Sequence, residues 1–474
     1  MATTFVAGFN RRQILIIGDP PPDQEFRERR LAISRFSTEP DALRLARALI
    51  VRLDRDIVLD AHELILALDH GLQVLIVADN DQQQKGAIEQ LSNFGLLSAV
   101  TLRTGATWAD VAERCRDHDP KSGIGEVQIL GSCDEEDAFL LRRAFADCKS
   151  IRVEPINGGV SGARVFRVHA VFADSAAGPR PLPFFAKTDE PARIRKEITN
   201  YEIYVDRFIP FYLRPHLDNA RCLESHKRAL IVGDFVANSE PLLATLRANR
   251  GKTAINSLFD ESLRSWRLQA FENERGQAIN VLPKALYAFD ANRFPPTRVS
   301  DAKASGARCS PTELVARLTS LKSIPYRAGP IHADLNGANV QVRLTDAILI
   351  DFYTTTFGPI VADPAALEID VAFSYDTTND FPEWRDVVDK MYGAPYLARI
   401  PPPAGEPTAR EWMWDAVRQI RMHGRAHGPT PLEYEQAIAV YLLRRAQYPA
   451  TNTADEQRRA YAYVLADTLI RGMA

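Results

Sequence analysis

Cysteine is scarce. Five residues in 474 (Cys115, Cys133, Cys148, Cys222 and Cys309) include no Cys-x-x-Cys pair and match no zinc-ligand spacing. A sparse, odd set argues against a disulfide framework and for a reducing compartment. Long apolar runs are missing too. The longest, such as Val-Leu-Ile-Val-Ala from Val74, are strand-sized and far below membrane-spanning length. The first dozen residues hold no apolar stretch long enough for a signal peptide. Neither sign of charge is in excess: the net charge is −3, so no global field draws the chain to nucleic acid or anionic lipid. Internal repeats and low-complexity tracts are absent. What remains is a globular, cytoplasmic protein of two to four domains.

The first ~150 residues, about one domain in size, alternate buried apolar runs with helical patterns. Gln13 to Asp19 and Leu72 to Asn80 read as buried strands. The segments at 39–53 and 60–71 read as helices from their 3.6-residue apolar spacing, and a polar helix follows Gln82. Further strands are expected near 97–105 and 125–132, around a helix near Trp108, and a helix at 134–148 closes the unit. This alternation predicts an open parallel sheet with helices on both faces.

From Ile151 the texture becomes that of an antiparallel meander through Asp189. A helical segment then runs to about Phe211, followed by a strand at 228–236. Beyond Pro241 the chain reads as mostly helical, with a surface loop at 290–309. Ser310 to Glu313 is a capping box with Pro in the first turn, and Thr430 and Thr453 carry the same Thr-x-x-Glu signal for two late helices.

The chemistry concentrates in Ile331 to Val342. Asp334 and Asn339 lie five residues apart among turn formers, and Asp351 ends the apolar run Ala347 to Ile350. A loop carboxylate can accept a hydroxyl proton, and an amide oxygen and a second carboxylate are hard ligands suited to magnesium. A base and two such ligands are what phosphoryl transfer needs. Each piece alone is an ordinary turn or strand end; their conjunction in this order is much rarer.

His332-Ala-Asp334 with Asn339, followed by Ile350-Asp351-Phe352, resembles the catalytic core of the protein-kinase-like superfamily, most of all the aminoglycoside phosphotransferase and choline kinase branch. Asp363 and Glu368 downstream also look like that branch, and there is similarity to the kinase-like "ternary complex-associated" domains of bacterial signalling and conflict proteins. The resemblance covers roughly 151 to the C-terminus. It implies a bilobal α+β kinase-like fold, ATP and Mg2+ as cofactors, Asp334 as catalytic base, His332 as a brace of its loop, and Asn339 and Asp351 as metal ligands. Departures are Ala333, where Gly is usual, and Tyr353 after Phe352, which suits small-molecule kinases better than protein kinases.

Such a fold needs a glycine turn between two strands. Gly158, Gly159, Ser161 and Gly162 supply one, and glycine lets backbone amides approach phosphate closely. Lys187, in an apolar strand, stands where kinases hold the ATP phosphates and needs an acidic partner. Glu197 falls about 60° from the centre of the stripe formed by Ile194, Ile198, Tyr201, Val205 and Phe208, and Glu202 about 80° on the other side. Geometry prefers Glu197 only slightly, and Glu202 stays in reserve. By resemblance, backbone groups from Gly233 to Phe235 meet adenine.

The resulting layout is a receiver-like or flavodoxin-like α/β domain over 1–148, an N-lobe over 149–240, and a helical C-lobe over 241–474 with an insertion at about 248–309 that is either structural or substrate-binding. In the first domain Asp79 ends a strand as a phosphoacceptor would and Thr104 stands in for a switch residue. However, prolines follow Asp19 and the last strand lacks a lysine, so a shell for regulation, dimerisation or protein docking is expected. His423 and His427 sit four apart beside Arg421 and Arg425 and read as a solvated basic face. The function implied is an ATP- and magnesium-dependent phosphotransferase whose acceptor, small molecule or protein, is open. The alternative is a nucleotide-binding pseudokinase scaffold. No membrane or nucleic-acid partner is indicated.

Overall fold

Five parallel strands build the first sheet in the order β2-β1-β3-β4-β5: β1 (Gln13–Ile17), β2 (Ala32–Arg35), β3 (Ala46–Leu53), β4 (Gln73–Ala78) and β5 (Thr101–Thr104). Here and below the structure is a computed structural model, and it describes residues 13–38, 42–43, 46–53, 58–97, 99–117, 127–156, 162–173, 180, 182–224, 228–272, 282–321, 324–373, 381–393, 410–426 and 431–473. Helices α1 (Asp23–Glu28), α2 (Ala61–Asp69), α3 (Asp81–Asn93) and α4 (Trp108–Asp117) pack on the sheet. Leu15, Leu49, Val51, Val74 and Ile76 face α2 and α3 in one core; Ile14, Ile16, Ile50, Leu75 and Val77 join Phe26 of α1 and Val111 of α4 in another. With both faces buried, strand sequences become continuous apolar runs, which explains β1 and β4. It also explains a misreading: Ala46–Leu53 was expected to be helical and is the central strand. A short apolar run does not carry enough periodicity to separate the two.

The second sheet has the order β10-β11-β9-β8-β7-β6, with β6 (Gln128–Gly131), β7 (Cys148–Ile156), β8 (Arg164–Phe172), β9 (Phe184–Asp189), β10 (Leu223–Glu224) and β11 (Ala229–Asp234). β6 pairs parallel to β7 and the rest are antiparallel. β6 and α5 (Glu135–Ala144), expected to close the first sheet, therefore belong to the second. The reason is packing: Leu140 and Leu141 of α5, with Phe145, are buried against Ile151, Val153, Phe166 and Val168.

The chain divides into two compact units, 1–194 with 217–235, and 195–216 with 236–474. Both sheets above lie in the first. The second unit takes the later part of α6 (Pro191–Asn200), which continues as a π-turn over Tyr201–Val205. It holds two small sheets: β12 (Glu240–Pro241) with β14 (Val340–Arg343) and β15 (Asp346–Leu349), and β13 (Ala328–Ile331) with β16 (Thr356–Pro359). Around them lie α7 (Leu242–Arg247), α8 (Gly251–Ser257), α9 (Arg264–Glu272), α10 (Leu282–Leu286), α11 (Pro296–Ala304), α12 (Pro311–Thr319), α13 (Ala362–Phe373), α14 (Phe381–Tyr392), α15 (Glu411–Arg425), α16 (Pro431–Gln447) and α17 (Thr453–Met473).

Ser310 caps α12 in a full capping box with Glu313. α17 begins at Thr453, but Asn452 caps it by accepting from Asp455 N at 2.9 Å. The expected loop at 290–309 contains α11. Pro296 sits in its first turn, where a missing N–H costs nothing, and buried Arg298 ties the helix to Glu456 and to the carbonyls of Ala446 and Tyr448. Among the described residues no helix is long and apolar enough to cross a membrane.

Candidate active site

Two strand pairs frame the loop 332–339. β13 delivers His332 and is paired to β16 through Ile331 and Thr356. β14 leaves the loop after Asn339, turns, and returns as β15 with Val340 opposite Leu349. The open end of this hairpin therefore brings Asn339 beside Ile350, whose N–H donates to Asn339 O at 3.0 Å, and hence close to Asp351.

Within the loop the hydrogen bonds are local and specific. His332 is fully buried, its ring Nε2 donates to Ile350 O at 3.0 Å, and its own carbonyl accepts from Thr354 Oγ1 at 2.9 Å. Asn336 Oδ1 accepts from the backbone of Ala338 (2.9 Å) and Asn339 (3.1 Å), closing an Asx turn. Asn339 Nδ2 donates to Asp334 O at 2.9 Å. A carbonyl can only accept, so the amide nitrogen must face it and Asn339 Oδ1 is turned away, available as a ligand.

Two backbone positions are strained. Ala333 has φ 63° and Asp351 φ 64°, both in the left-handed region. Strain of this kind persists where surrounding bonds over-determine it. For Ala333 those bonds come from Asp363 of α13, whose Oδ2 and Oδ1 accept from His332 N (2.8 Å) and Ala333 N (3.0 Å). Asp370, about two turns further along the same face of α13, accepts from Gly337 N at 2.8 Å. Burial pushes both carboxyls above the usual range. On the other side Asn200 Nδ2 donates to the carbonyls of Phe352 (3.1 Å) and Tyr353 (2.9 Å), and the Phe352 ring packs against Tyr201. Asp351 is exposed at the end of this braced segment.

Asp334 is partly exposed, and its Oδ1 accepts from Arg444 Nη2 of α16 at 3.1 Å. No feature of the local sequence announced Arg444. Asp363 stood out with Glu368 through the family resemblance, but Asp370 did not; the spacing of seven between Asp363 and Asp370, which places them on one helix face, is the signal that would have found it.

Among the described residues no cluster of three or more His, Cys, Asp or Glu side chains is set to hold a metal. Magnesium does not require one: it takes one or two protein oxygens and fills its sphere with water and phosphate. An outward amide oxygen at Asn339 and an exposed carboxylate at Asp351 fit that habit.

The remaining sequence candidates fall as follows. Lys187 is half-buried in the middle of β9, opposite Val165 of β8 and Ile231 of β11. Gly233 is buried at the end of β11 and bridged to Leu217, while Phe235 N donates to Pro183 O at 3.1 Å and its ring lies 4.4 Å from the Arg167 guanidinium. Gly162 has φ 80°, a conformation that favours glycine. Gly158, Gly159 and Ser161 lie outside the described residues. On α6 and its π-turn the two acidic candidates separate: Glu197 is buried and Glu202 exposed. Of the basic face expected at 421–427, Arg421 and His423 are engaged rather than solvated. Arg421 is buried on Glu368, and His423 stacks on Phe259 at 5.0 Å and bonds Asn256 Oδ1 at 2.9 Å. His427 lies outside the described residues.

No protein-family model and no curated protein matches the chain. Solved structures similar to it include an amicoumacin kinase in complex with AMP-PNP and Ca2+ (13% identity, TM-score 0.32, 68% of this chain and 88% of that one). A choline kinase from Cryptosporidium parvum (11%, 0.34, 68% and 91%) and an aminoglycoside phosphotransferase from Alicyclobacillus acidocaldarius (12%, 0.34, 68% and 90%) are others. At these scores the chemistry has to be argued from the residues of this chain.

Proposed function

We propose that the chain is an ATP- and magnesium-dependent phosphotransferase acting on a hydroxyl group. The observation that carries this reading is the hairpin end where the Asp334–Asn339 loop meets the Asp351 segment, each held by buried donors and acceptors. Rigid backbone under a partly exposed Asp334, an exposed Asp351 and an outward Asn339 oxygen is what a pre-organised site requires. In the proposed reaction Asp334 takes the acceptor's proton as its oxygen bonds to the γ-phosphorus. The bond from that phosphorus to the β–γ bridging oxygen breaks, and its electron pair leaves with ADP. Magnesium would be held by Asn339 and Asp351 and would neutralise charge on the phosphate oxygens. Lys187 positions the α- and β-phosphates; of the two acidic candidates for its partner, Glu197 is buried and Glu202 exposed. Gly158, Gly159, Ser161 and Gly162 cover the phosphates, Gly233 to Phe235 meet adenine, and His332 braces the loop.

The first sheet supports a companion proposal. Its all-parallel order β2-β1-β3-β4-β5 is that of doubly wound flavodoxin-like and receiver-like sheets. Asp79 is exposed after β4 with Arg52 at 3.8 Å, and Thr104 ends β5. We assign this sheet a regulatory, dimerising or docking role in the cytoplasm, without phosphoacceptor chemistry.

The test is calorimetric ATP binding with and without magnesium, on wild type and Asp351→Ala, followed by ATP turnover. Magnesium-dependent binding that Asp351→Ala loses supports the site. Absence of ATP binding by wild type refutes it. Binding without turnover across hydroxyl acceptors, with Asp334→Asn leaving cellular function intact, favours a scaffold.

A further inference from the structure

Arg444 does more at Asp334 than neutralise it. Its Nη2 donates to Asp334 Oδ1 at 3.1 Å and its Nε to the Tyr448 hydroxyl at 2.9 Å. The guanidinium carbon lies 5.3, 5.7 and 5.6 Å from the rings of Tyr287, Tyr441 and Tyr448. Three tyrosines and one carboxylate thus hold the planar fork in a single orientation.

The donors of this fork are spent unlike those of the buried Arg298 and Arg421. Arg298 and Arg421 each add backbone carbonyls to their carboxylate: Ala446 and Tyr448 for Arg298, Met391 for Arg421. Arg444 meets no backbone carbonyl among the described residues, and its Nη1 carries no hydrogen bond there. The pair also opens to solvent, with the Arg444 side chain 18% exposed and that of Asp334 44%. Asp334 Oδ2 likewise carries no hydrogen bond among the described residues, so it remains able to accept from a hydroxyl while Oδ1 is engaged.

We infer that Arg444 reads an anionic group, a carboxylate or a phosphate ester, on the molecule whose hydroxyl Asp334 serves. This rests on the phosphotransferase reading above. An oriented guanidinium with spare donors matches the oxygens of such groups bidentately. The two contact points flank one carboxylate, so the molecule is short. The same residue sets specificity in the other direction. A cage of tyrosines beside a carboxylate would by itself suit a quaternary ammonium, but Arg444 already fills it, and a cationic acceptor would meet like charge.

The experiment is calorimetry on the full chain saturated with AMP-PNP and magnesium, with D-glycerate, glycerol 3-phosphate and choline as probes. At least one anion should bind wild type and choline should not. Arg444→Gln should weaken anion binding by about tenfold or more, and Arg444→Lys, which keeps the charge and loses the fork, should fall between. Choline binding, no anion binding, or anion binding unchanged in Arg444→Gln (an adventitious ion only) overturns the inference. If Arg444→Gln misfolds by circular dichroism, Tyr448→Phe serves instead. It removes the acceptor of the Nε–H while keeping the ring, and it should weaken anion binding several-fold; unchanged affinity counts against the inference. Should AMP-PNP itself not bind, the phosphotransferase reading fails on its own, and the anion titrations on nucleotide-free protein still decide the role of Arg444.

Discussion

Asp363 and Asp370 stand seven residues apart on α13, and each accepts hydrogen bonds from the backbone of the same loop, at His332 and Ala333 for one and Gly337 for the other. Seven residues are nearly two full turns, roughly 10 Å along the axis, so one helix face holds both ends of the loop that presents Asp334. Replacing Asp363 by Ala leaves two backbone donors without acceptors and should cost about 2–4 kcal/mol. Asp363→Asn keeps one acceptor and should cost less. Urea unfolding measures both, and ATP turnover should fall in the same order. Asp363→Ala at wild-type stability would mean that water replaces the carboxylate without loss.

The left-handed backbone at Ala333 is a second handle. A Cβ there is unfavourable, and Ala333→Gly should raise stability by about 1 kcal/mol. Leu344, at the β14–β15 turn with φ 59° and 92% exposed, provides a comparison away from the loop, and Leu344→Gly should gain a similar amount. Thermal unfolding of the two variants tests this. A loss at Ala333 alone would indicate that its methyl group packs productively.

Arg421 and Glu368 form an ion pair with both side chains fully buried, completed by the Tyr434 hydroxyl on Glu368 Oε2 at 2.6 Å. Arg421→Met strands a buried carboxylate and should cost about 3–5 kcal/mol. The double variant Arg421→Met with Glu368→Leu should cost less than Arg421→Met alone, because no charge is left unpaired. Denaturant midpoints of the two variants decide it.

Stability should also depend on Glu456 in acid. Its hydrogen bond from Arg298 holds the carboxyl below the usual glutamate value of 4.5, with burial opposing. A depressed folded-state value means the contribution is complete above the unfolded value and is lost as pH falls through the folded one. Unfolding free energies measured from pH 6 to pH 3 should therefore decline below about 4.5, and Glu456→Gln should flatten the decline. An identical slope in the variant would place the acid sensitivity elsewhere.

The legibility of the site followed sequence distance. The Asp334–Asn339 loop and Asp351 are close in the chain, joined by one hairpin, so their spacing already implied that they meet. The bracing of that loop was not legible, because Asp363, Asp370 and Asn200 act on backbone groups, which have no residue identity to match. Arg444 lies 110 residues from Asp334 and comes from a largely buried helix whose sequence carries no motif that points to the loop.

By itself the sequence determined what is local: the capping box at Ser310, the buried strands β1 and β4, and the turn chemistry of Asn336 to Asn339. Tertiary structure decided what depends on a partner. It made Ala46–Leu53 a strand, because a neighbour on each side supplies the hydrogen bonds that a helix would have made internally. It gave β6 and α5 to the second sheet, because their apolar face finds its cover there. It buried Glu197 and exposed Glu202, and it set Arg444 on Asp334. Periodicity states that a face will be buried; only the folded chain states against what.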